Sequence, residues 1–371
     1  MSAQQAGAWC VPCRGPGDLS GVQALVEAGE IDPRDIVAVM GKTEGNGCVN
    51  DHTREFAAMA WCHFLAPRLG CRPEDVEQRV ALVMSGGTEG VLSPHFTVLT
   101  RRFVAQAPAH GEKRLVIGVA QTRDFRPEEI GRRAQIEATA AAVQAAIREA
   151  GIAGTDDVHF VQVKCPLLTD AKVAEAASRG QSVVTPDPYA SMGHSRGASA
   201  LGVALALGEV APGDVDDRSV LAAEAPWSAC ASVSAGIELE RNLVIVLGEA
   251  VGSASALRIA HTVMRDAVDA QSVRMLFREA FGLDPERDAA AISQRLVNLL
   301  AKAEASPDGQ VRGARHTMLN DSDIHATRHA RAAVAAVLAS VVGRTRLYVS
   351  GGAEHQGPPG GGPVAALLRM E

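Results

Sequence analysis

The pattern Ser-x-Gly-x-Glu occurs three times in this chain, as Ser85-Gly86-Gly87-Thr88-Glu89, Ser234-Ala235-Gly236-Ile237-Glu238 and Ser350-Gly351-Gly352-Ala353-Glu354. Each copy follows or neighbours an apolar segment, so three serines are presented on three similar turns. Upstream of each serine a lysine ends an apolar run: Lys42 after residues 36–41, Lys164 after 158–163 and Lys302 after 296–301. Between lysine and serine stands an arginine preceded by Ser or Thr, in Thr53-Arg54, Ser195-Arg196 and Thr327-Arg328. The order Lys, Arg, Ser thus repeats three times at unequal intervals. That is divergent triplication, outside the short-period solenoid class, and it constrains the chain to three related units.

The intervening sequence alternates short apolar runs with amphipathic stretches, which reads as α/β units with helices covering sheets. The pattern predicts a short helix over 18–29, a strand over 36–40, a helix from Asn50 or Asp51 to about Leu69, and a strand over 80–84. A polar break at 107–113 ends the first unit. A strand over 115–120, a long Ala-rich helix over 127–150, a helix over 195–207 with Ser195 as its cap and a strand over 243–247 fill the second. The third opens with a helix from near Ser253 to about Ala270 and a second over 285–295, and adds an Ala-rich helix over 326–342 and a strand over 347–349. The expected units are 1–106, 112–250 and 253–371, arranged around a pseudo-threefold axis.

With 371 residues, 47% of them hydrophobic, the chain can bury a substantial core. A net charge of −7 without a basic run excludes a nucleic-acid or anionic-membrane partner, since either needs a basic face. Seven irregularly spaced cysteines favour reduced thiols, and Cys10-x-x-Cys13 lacks the second pair or the βαβ context that zinc or redox work requires. No leader-like segment and no run of 18 apolar residues is present, so a soluble, cytoplasmic protein is expected.

Two motifs imitate other chemistries. Gly193-His194-Ser195-Arg196-Gly197 fits the G-x-S-x-G elbow of α/β-hydrolases, but Pro186 and Pro188 occupy the stretch where the elbow needs a strand. His325 and His329 share a helical face as zinc ligands do, yet the Glu of H-E-x-x-H is missing, and a solvated face accounts for them. The loop from Gly357 to Pro363 reads as flexible coil, or as a run of carbonyl oxygens beside Glu354 and Gln356 suited to a hard cation.

A serine hydroxyl is a weak nucleophile until a base takes its proton, and a desolvated lysine held neutral can be that base. Lys42 is followed two residues later by Glu44 and Lys302 by Glu304, whereas Lys164 is followed by Cys165-Pro166. A nearby carboxylate favours the charged ammonium, which makes Lys164 the expected base and Ser234 the expected nucleophile. Three arginines offer planar forks for carbonyl oxygens, and N–H groups at the Ser-Gly turns offer an oxyanion site. Together these parts suit attack on a cyclic imide or amide.

The three Lys/Arg/Ser sets, the segments Gly41-Lys42-Thr43-Glu44-Gly45-Asn46 and Ser85-Gly86-Gly87-Thr88-Glu89-Gly90, and the Gly-Pro-rich end resemble the ring-opening amidohydrolases, the family of cyanuric acid hydrolase and barbiturase. The resemblance spans essentially the whole chain. It implies three repeats with a central sheet or barrel core and outer helices, and a nucleophilic Ser234 served by Lys164. It also implies a substrate site of Lys42, Arg54, Ser85, Gly86, Arg196, Ala235, Lys302, Arg328, Ser350 and Gly351. The reaction implied is opening of cyanuric acid to carboxybiuret, which loses carbon dioxide to give biuret, through an acyl-enzyme; the alternative is opening of barbituric acid to ureidomalonate. Outside catalysis, a non-enzymatic ligand-binding protein on the same scaffold is the rival. Ile324, placed one helical turn before Arg328, is the expected specificity residue. The resemblance further implies no catalytic cofactor, a structural Mg2+ or Ca2+ held by Glu304, Ala353, Gln356, Gly357, Pro358 and Gly361, and a homo-oligomer, specifically a tetramer.

Overall fold

The computed structural model describes residues 2–105, 111–222, 224 and 226–370. Positions 107–110 of the polar break lie outside the described residues. The first unit runs β1 (Ala3–Pro12), α1 (Ser20–Glu27), β2 (Ile36–Thr43), α2 (His52–Leu69), β3 (Ala81–Gly86) and β4 (His95–Val104). The second runs β5 (Lys113–Gln121), α3 (Arg133–Ala150), β6 (Val158–Pro166), α4 (Asp170–Ser178), α5 (Pro188–Leu207), β7 (Ala231–Gly236) and β8 (Leu243–Val251). The third runs β9 (Leu257–Met264), α6 (Ala270–Phe281), α7 (Ala289–Arg295), β10 (Leu296–Ala303), the two-residue strands β11 (Gln310–Val311) and β12 (Ala314–Arg315), α8 (Ala326–Val342), β13 (Tyr348–Gly351) and β14 (Gly362–Arg369).

The same four-stranded sheet is built three times, in the orders β1-β4-β2-β3, β5-β8-β6-β7 and β9-β14-β10-β13. In each, an inner strand and the edge strand beside it run parallel through a helical crossover and the rest pair antiparallel. The parallel pairs set Lys42 opposite Ser85, Lys164 opposite Ser234 and Lys302 opposite Ser350. This register is the physical content of the repeated Lys-then-Ser order: the crossover returns the chain so that both side chains leave the sheet at one edge.

One face of every sheet turns to a shared centre, where Met40 and Leu99, Ile117, Phe160 and Ile245, and Leu300, Tyr348 and Leu367 are buried together. The other faces carry the helices, with Trp61 and Leu65 of α2, Val143 of α3 with Val203 of α5, and Val334 with Leu338 of α8. The fold is α/β, three like units around a pseudo-threefold axis with helices outside. Small residues let the layers close: a Cβ on Gly118 of β5 would run into the Ala146 carbonyl of α3.

Several local expectations are corrected. The third unit opens with strand β9, where alternation in Leu257-Arg258-Ile259 outweighs helical spacing, and the helix begins only at Ala270 behind the cap Asp269. Ser195 is not a cap: α5 starts at Pro188 with Asp187 accepting from the Tyr189 and Ala190 N–H groups, so Ser195 sits buried in mid-helix and accepts from Gln135 Nε2 at 2.9 Å. That also removes the nucleophile-elbow reading. Residues 127–129 form a separate 3-10 turn before α3. Strands β1, β4 and β14 were not anticipated; each is largely buried on both faces or rich in Ala and Thr, and so lacks clean alternation. No helix among the described residues is long and apolar enough to cross a membrane.

Candidate active site

A small polar cavity lies where the three sheet edges meet, lined by Gly47, Arg54, Ser85, Gly86, Lys164, Met192, Arg196, Ser234, Ala235, Arg331, Ser350 and Gly351. Roomier clefts exist among the described residues, such as one of about 260 Å³ near Trp9 and Arg102, whose lining has no serine and no lysine. All three serines and all three lysines are buried. Arg54 comes from the first turn of α2, fixed by the cap Asp51, whose carboxylate accepts from Thr53 N–H at 3.1 Å and Gly47 N–H at 2.9 Å. Arg196 and Arg331 project from α5 and α8.

Hydrogen bonds knit each unit to the next. Lys164 Nζ donates to Met84 O of the first unit at 2.8 Å, and Lys302 Nζ to Val233 O of the second at 2.7 Å. Lys42 Nζ donates to Ser85 Oγ at 3.2 Å, and Ser85 Oγ lies 2.9 Å from Ser350 Oγ. Arg196 clasps Glu354 of the third unit through Nε and Nη2 at 2.7 and 2.6 Å, and Arg331 clasps Glu89 of the first in the same way, also at 2.7 and 2.6 Å. Arg54 donates to Ala235 O of the second unit at 3.0 Å and to Cys48 O at 2.8 Å. Among the lining side chains, the buried polar atoms left without a partner are Ser234 Oγ and Arg54 Nε.

Burial dominates the electrostatics. Desolvation pulls Lys42 well below its ordinary value, with Arg331 adding to the effect, and lowers Lys302 to about 7, helped by Arg196. Lys164 is lowered by desolvation too, but the Glu238 carboxylate opposes the shift. Burial works to raise Glu89 and Glu354, and the clasping guanidinium overcomes it in each, leaving both below their ordinary range.

These facts correct the sequence argument in three places. Lys164 does have an acidic neighbour: Glu238 Oε1 is 3.3 Å from Nζ, whereas the clasped Glu89 and Glu354 are held off from Lys42 and Lys302. The deciding carboxylate is the last residue of the Ser-x-Gly-x-Glu pattern, not the residue two after lysine. The third arginine lining the cavity is Arg331, one turn beyond Arg328, whose side chain is partly exposed and does not line it. Ile324 precedes the helix, its N–H bonded to Asp321 and its side chain 44% exposed, so it shares no helical face with Arg328. The residues missed were Arg331, Glu89 and Glu238, and the third glutamate of the pattern, Glu354, was noted only beside the C-terminal loop. The pattern's own repeated Glu was the signal for the acids, and a second arginine on the same helix the signal for Arg331. His325 and His329 do not converge: the first contacts Tyr189 and the second Asp321.

Glu304 directly follows β10, beside the C-terminal loop. Its carboxylate, on a partly buried residue, accepts from Gly360 N–H at 3.2 Å and is raised by burial and by Glu354, with Gly360 N–H, Arg196 and Lys302 offsetting only part of the rise. Carbonyl oxygens of Ala353 and Pro358 lie in the same loop, each accepting one backbone bond, while Gln356 Oε1 accepts from Val233 N–H at 2.6 Å. An acid that stays raised beside carbonyls fits a hard cation; the Gln356 amide oxygen is already engaged, so its main chain is the better donor.

A family model described as amidohydrolase ring-opening protein matches residues 9–369. The chain belongs to that family. It is 57% identical over 372 residues to a cyanuric acid amidohydrolase of Bradyrhizobium diazoefficiens, covering 100% of both chains. To the enzyme of that name from a Pseudomonas species, strain ADP, it is 60% identical, covering 97% of this chain and 98% of the relative. A solved cyanuric acid hydrolase described as an innovation by structural concatenation superposes with TM-score 0.95 at 58% identity, covering 99% of this chain and 100% of that one. The enzyme from A. caulinodans gives TM-score 0.90 at 48% identity with the same coverage.

Proposed function

We propose that this family member hydrolyses cyanuric acid, with Ser234 as nucleophile and Lys164 as base. The observation that carries the reading is the unpartnered Ser234 Oγ in a cavity whose other two serines are bonded to each other. A buried hydroxyl without a partner is costly unless a ligand satisfies it. The relatives named for cyanuric acid, at over half identity across the chain, support the substrate.

In this reading the free edges of Arg196 and Arg331, and the open Nε of Arg54, meet the ring's carbonyl oxygens. Lys164 takes the Ser234 proton, the serine oxygen attacks a ring carbonyl, and the ring nitrogen leaves with a proton returned by Lys164. Water then releases the acyl group as carboxybiuret, which loses carbon dioxide to give biuret. Lys42, Lys302, Ser85 and Ser350, with backbone at Gly86, Ala235 and Gly351, hold the ring. A structural Mg2+ or Ca2+ on Glu304 and the loop carbonyls steadies the strand carrying Ser350, and the active form is a homotetramer.

A second reading makes Ser85 the nucleophile and Lys42 its base, favoured by their direct 3.2 Å bond. Steady-state turnover and mass-spectrometric trapping of the acyl-enzyme separate the two. Ser234→Ala and Lys164→Ala are expected to lower kcat by orders of magnitude and to abolish the trapped adduct. An adduct mapped to Ser85 would establish the second reading. Assays with cyanuric and barbituric acids side by side set the substrate, with cyanuric acid preferred; saturable binding of both without turnover would mean a binding protein.

A further inference from the structure

The threefold likeness of the site breaks in the second unit. Glu89 and Glu354 are each clasped by an arginine of the neighbouring unit, but Glu238 is not, because Arg54 directs its two terminal nitrogens to the carbonyls of Ala235 and Cys48. Glu238 lies instead against Lys164, 3.3 Å from Nζ, while Lys42 and Lys302 bond only to hydroxyl or carbonyl oxygens. The backbone follows suit. Gly87 and Gly352, each two residues after its serine, take φ of +101° and +75° and lie against Arg331 and Arg196. Gly236, the counterpart, has no positive φ, and a Cβ on it would overlap the Glu238 carboxylate. The chain is therefore shaped so that this one glutamate folds back onto its own unit's lysine.

We propose that Glu238 is the positioning residue of the second unit: it orients the Lys164 amine and balances the charge that forms there when Ser234 is deprotonated. This rests on the reading of Ser234 and Lys164 as nucleophile and base. Met84 O at 2.8 Å and Glu238 at 3.3 Å are the two nearer partners of Nζ, and the third direction is held only by a long contact to Ala235 O at 3.5 Å, which yields to the proton taken from serine. The Ser234 O–H bond breaks, an N–H bond forms on Lys164, and the freed oxygen pair attacks the carbonyl carbon. The ammonium formed on buried Lys164 then lies beside a carboxylate that reaches solvent, and the opposite charge favours it. Glu89 and Glu354 do different work, holding arginine forks at the cavity wall. The other ionisable groups around the pair are Arg54, Cys165 beside Lys164, and Glu77, which is raised by burial and by Glu238.

The test compares Glu238→Gln with Glu89→Gln and Lys164→Ala in the full chain, using cyanuric acid and the pH profile of kcat/KM. Removing a carboxylate lets the lysine lose its proton at lower pH, so in Glu238→Gln the acidic limb is expected to move down by about 1 pH unit, with kcat falling about tenfold or more and KM little changed. Glu89→Gln is expected to raise KM and leave the limb in place. An unmoved limb with kcat intact in Glu238→Gln overturns the proposal. Turnover surviving in Lys164→Ala instead defeats the reading of the base, whatever Glu238→Gln does. Should Glu238→Gln fail to fold by circular dichroism, Glu238→Asp serves: the limb stays while kcat falls, and a limb shifted as far as charge removal predicts sinks the idea.

Discussion

Guanidinium geometry decides what each arginine of the site can do. Arg196 and Arg331 present Nε and one terminal nitrogen to a carboxylate, so the remaining edge of each fork faces the cavity already aligned. Lysine at either place supplies a point charge without the fork, so Arg196→Lys and Arg331→Lys are each expected to raise KM about tenfold or more, close to 1.4 kcal/mol. Arg328→Lys is expected to change KM less than about twofold, and an effect equal to that of Arg331→Lys would place Arg328 in the site after all. The residue types were readable from the chain because chemistry repeats: three lysines, three serines and an arginine on each intervening helix. Which arginine of α8 and which glutamate mattered was not readable, because a side chain's partner in another unit leaves no trace in local spacing. The Glu44 and Glu304 argument failed for this reason, as sequence neighbours two apart stood in for spatial ones.

At the scale of elements, the start of α2 aims Arg54. Asp51 caps α2 and ties Gly47 to Thr53, so Asp51→Ala is expected to cost about 1–2 kcal/mol in denaturant unfolding and to raise KM through a misplaced Arg54. Asp51→Asn, which keeps a capping oxygen, should retain most of both. The loop from Ala353 to Gly361 joins two strands of the third sheet, β13 and β14, and Glu304 sits against it. Chelator treatment is expected to lower the melting temperature, and added Mg2+ or Ca2+ to restore it; elemental analysis finding no bound divalent cation would remove the ion. Helices α2 and α8 were legible within a few residues from their spacing and composition, and α3 at its C-terminal end. Strand β9 was not, since its alternation is confined to Leu257-Arg258-Ile259 and burial is irregular beyond it.

For the whole molecule, the joints between units carry titratable groups. His159 of β6 and His261 of β9 meet Nδ1 to Nδ1 at 2.9 Å across the second and third units, so one must donate and the other accept. His95, fully buried, is bonded to Ser93 O and to Asn298 of the third unit. Burial pushes both His95 and His159 down to about 4, from an ordinary 6.5. The unfolded chain then binds protons before the folded one as pH falls, so stability is full above about pH 6.5 and drains away toward pH 4. The urea midpoint is expected to drop across that window and to drop less in His159→Gln. Identical slopes in both would exclude the pair as a source.

Because Arg196 of the second unit holds Glu354 of the third, and Arg331 of the third holds Glu89 of the first, no unit owns a complete wall of the cavity. A stretch of gene encoding one unit cannot be exchanged or lost by itself without stranding a buried charge next door. Inherited change at these positions has to come in couples, one substitution in each of two distant thirds of the gene. Glu238, which answers to the lysine of its own unit, needs no such matching step in another third.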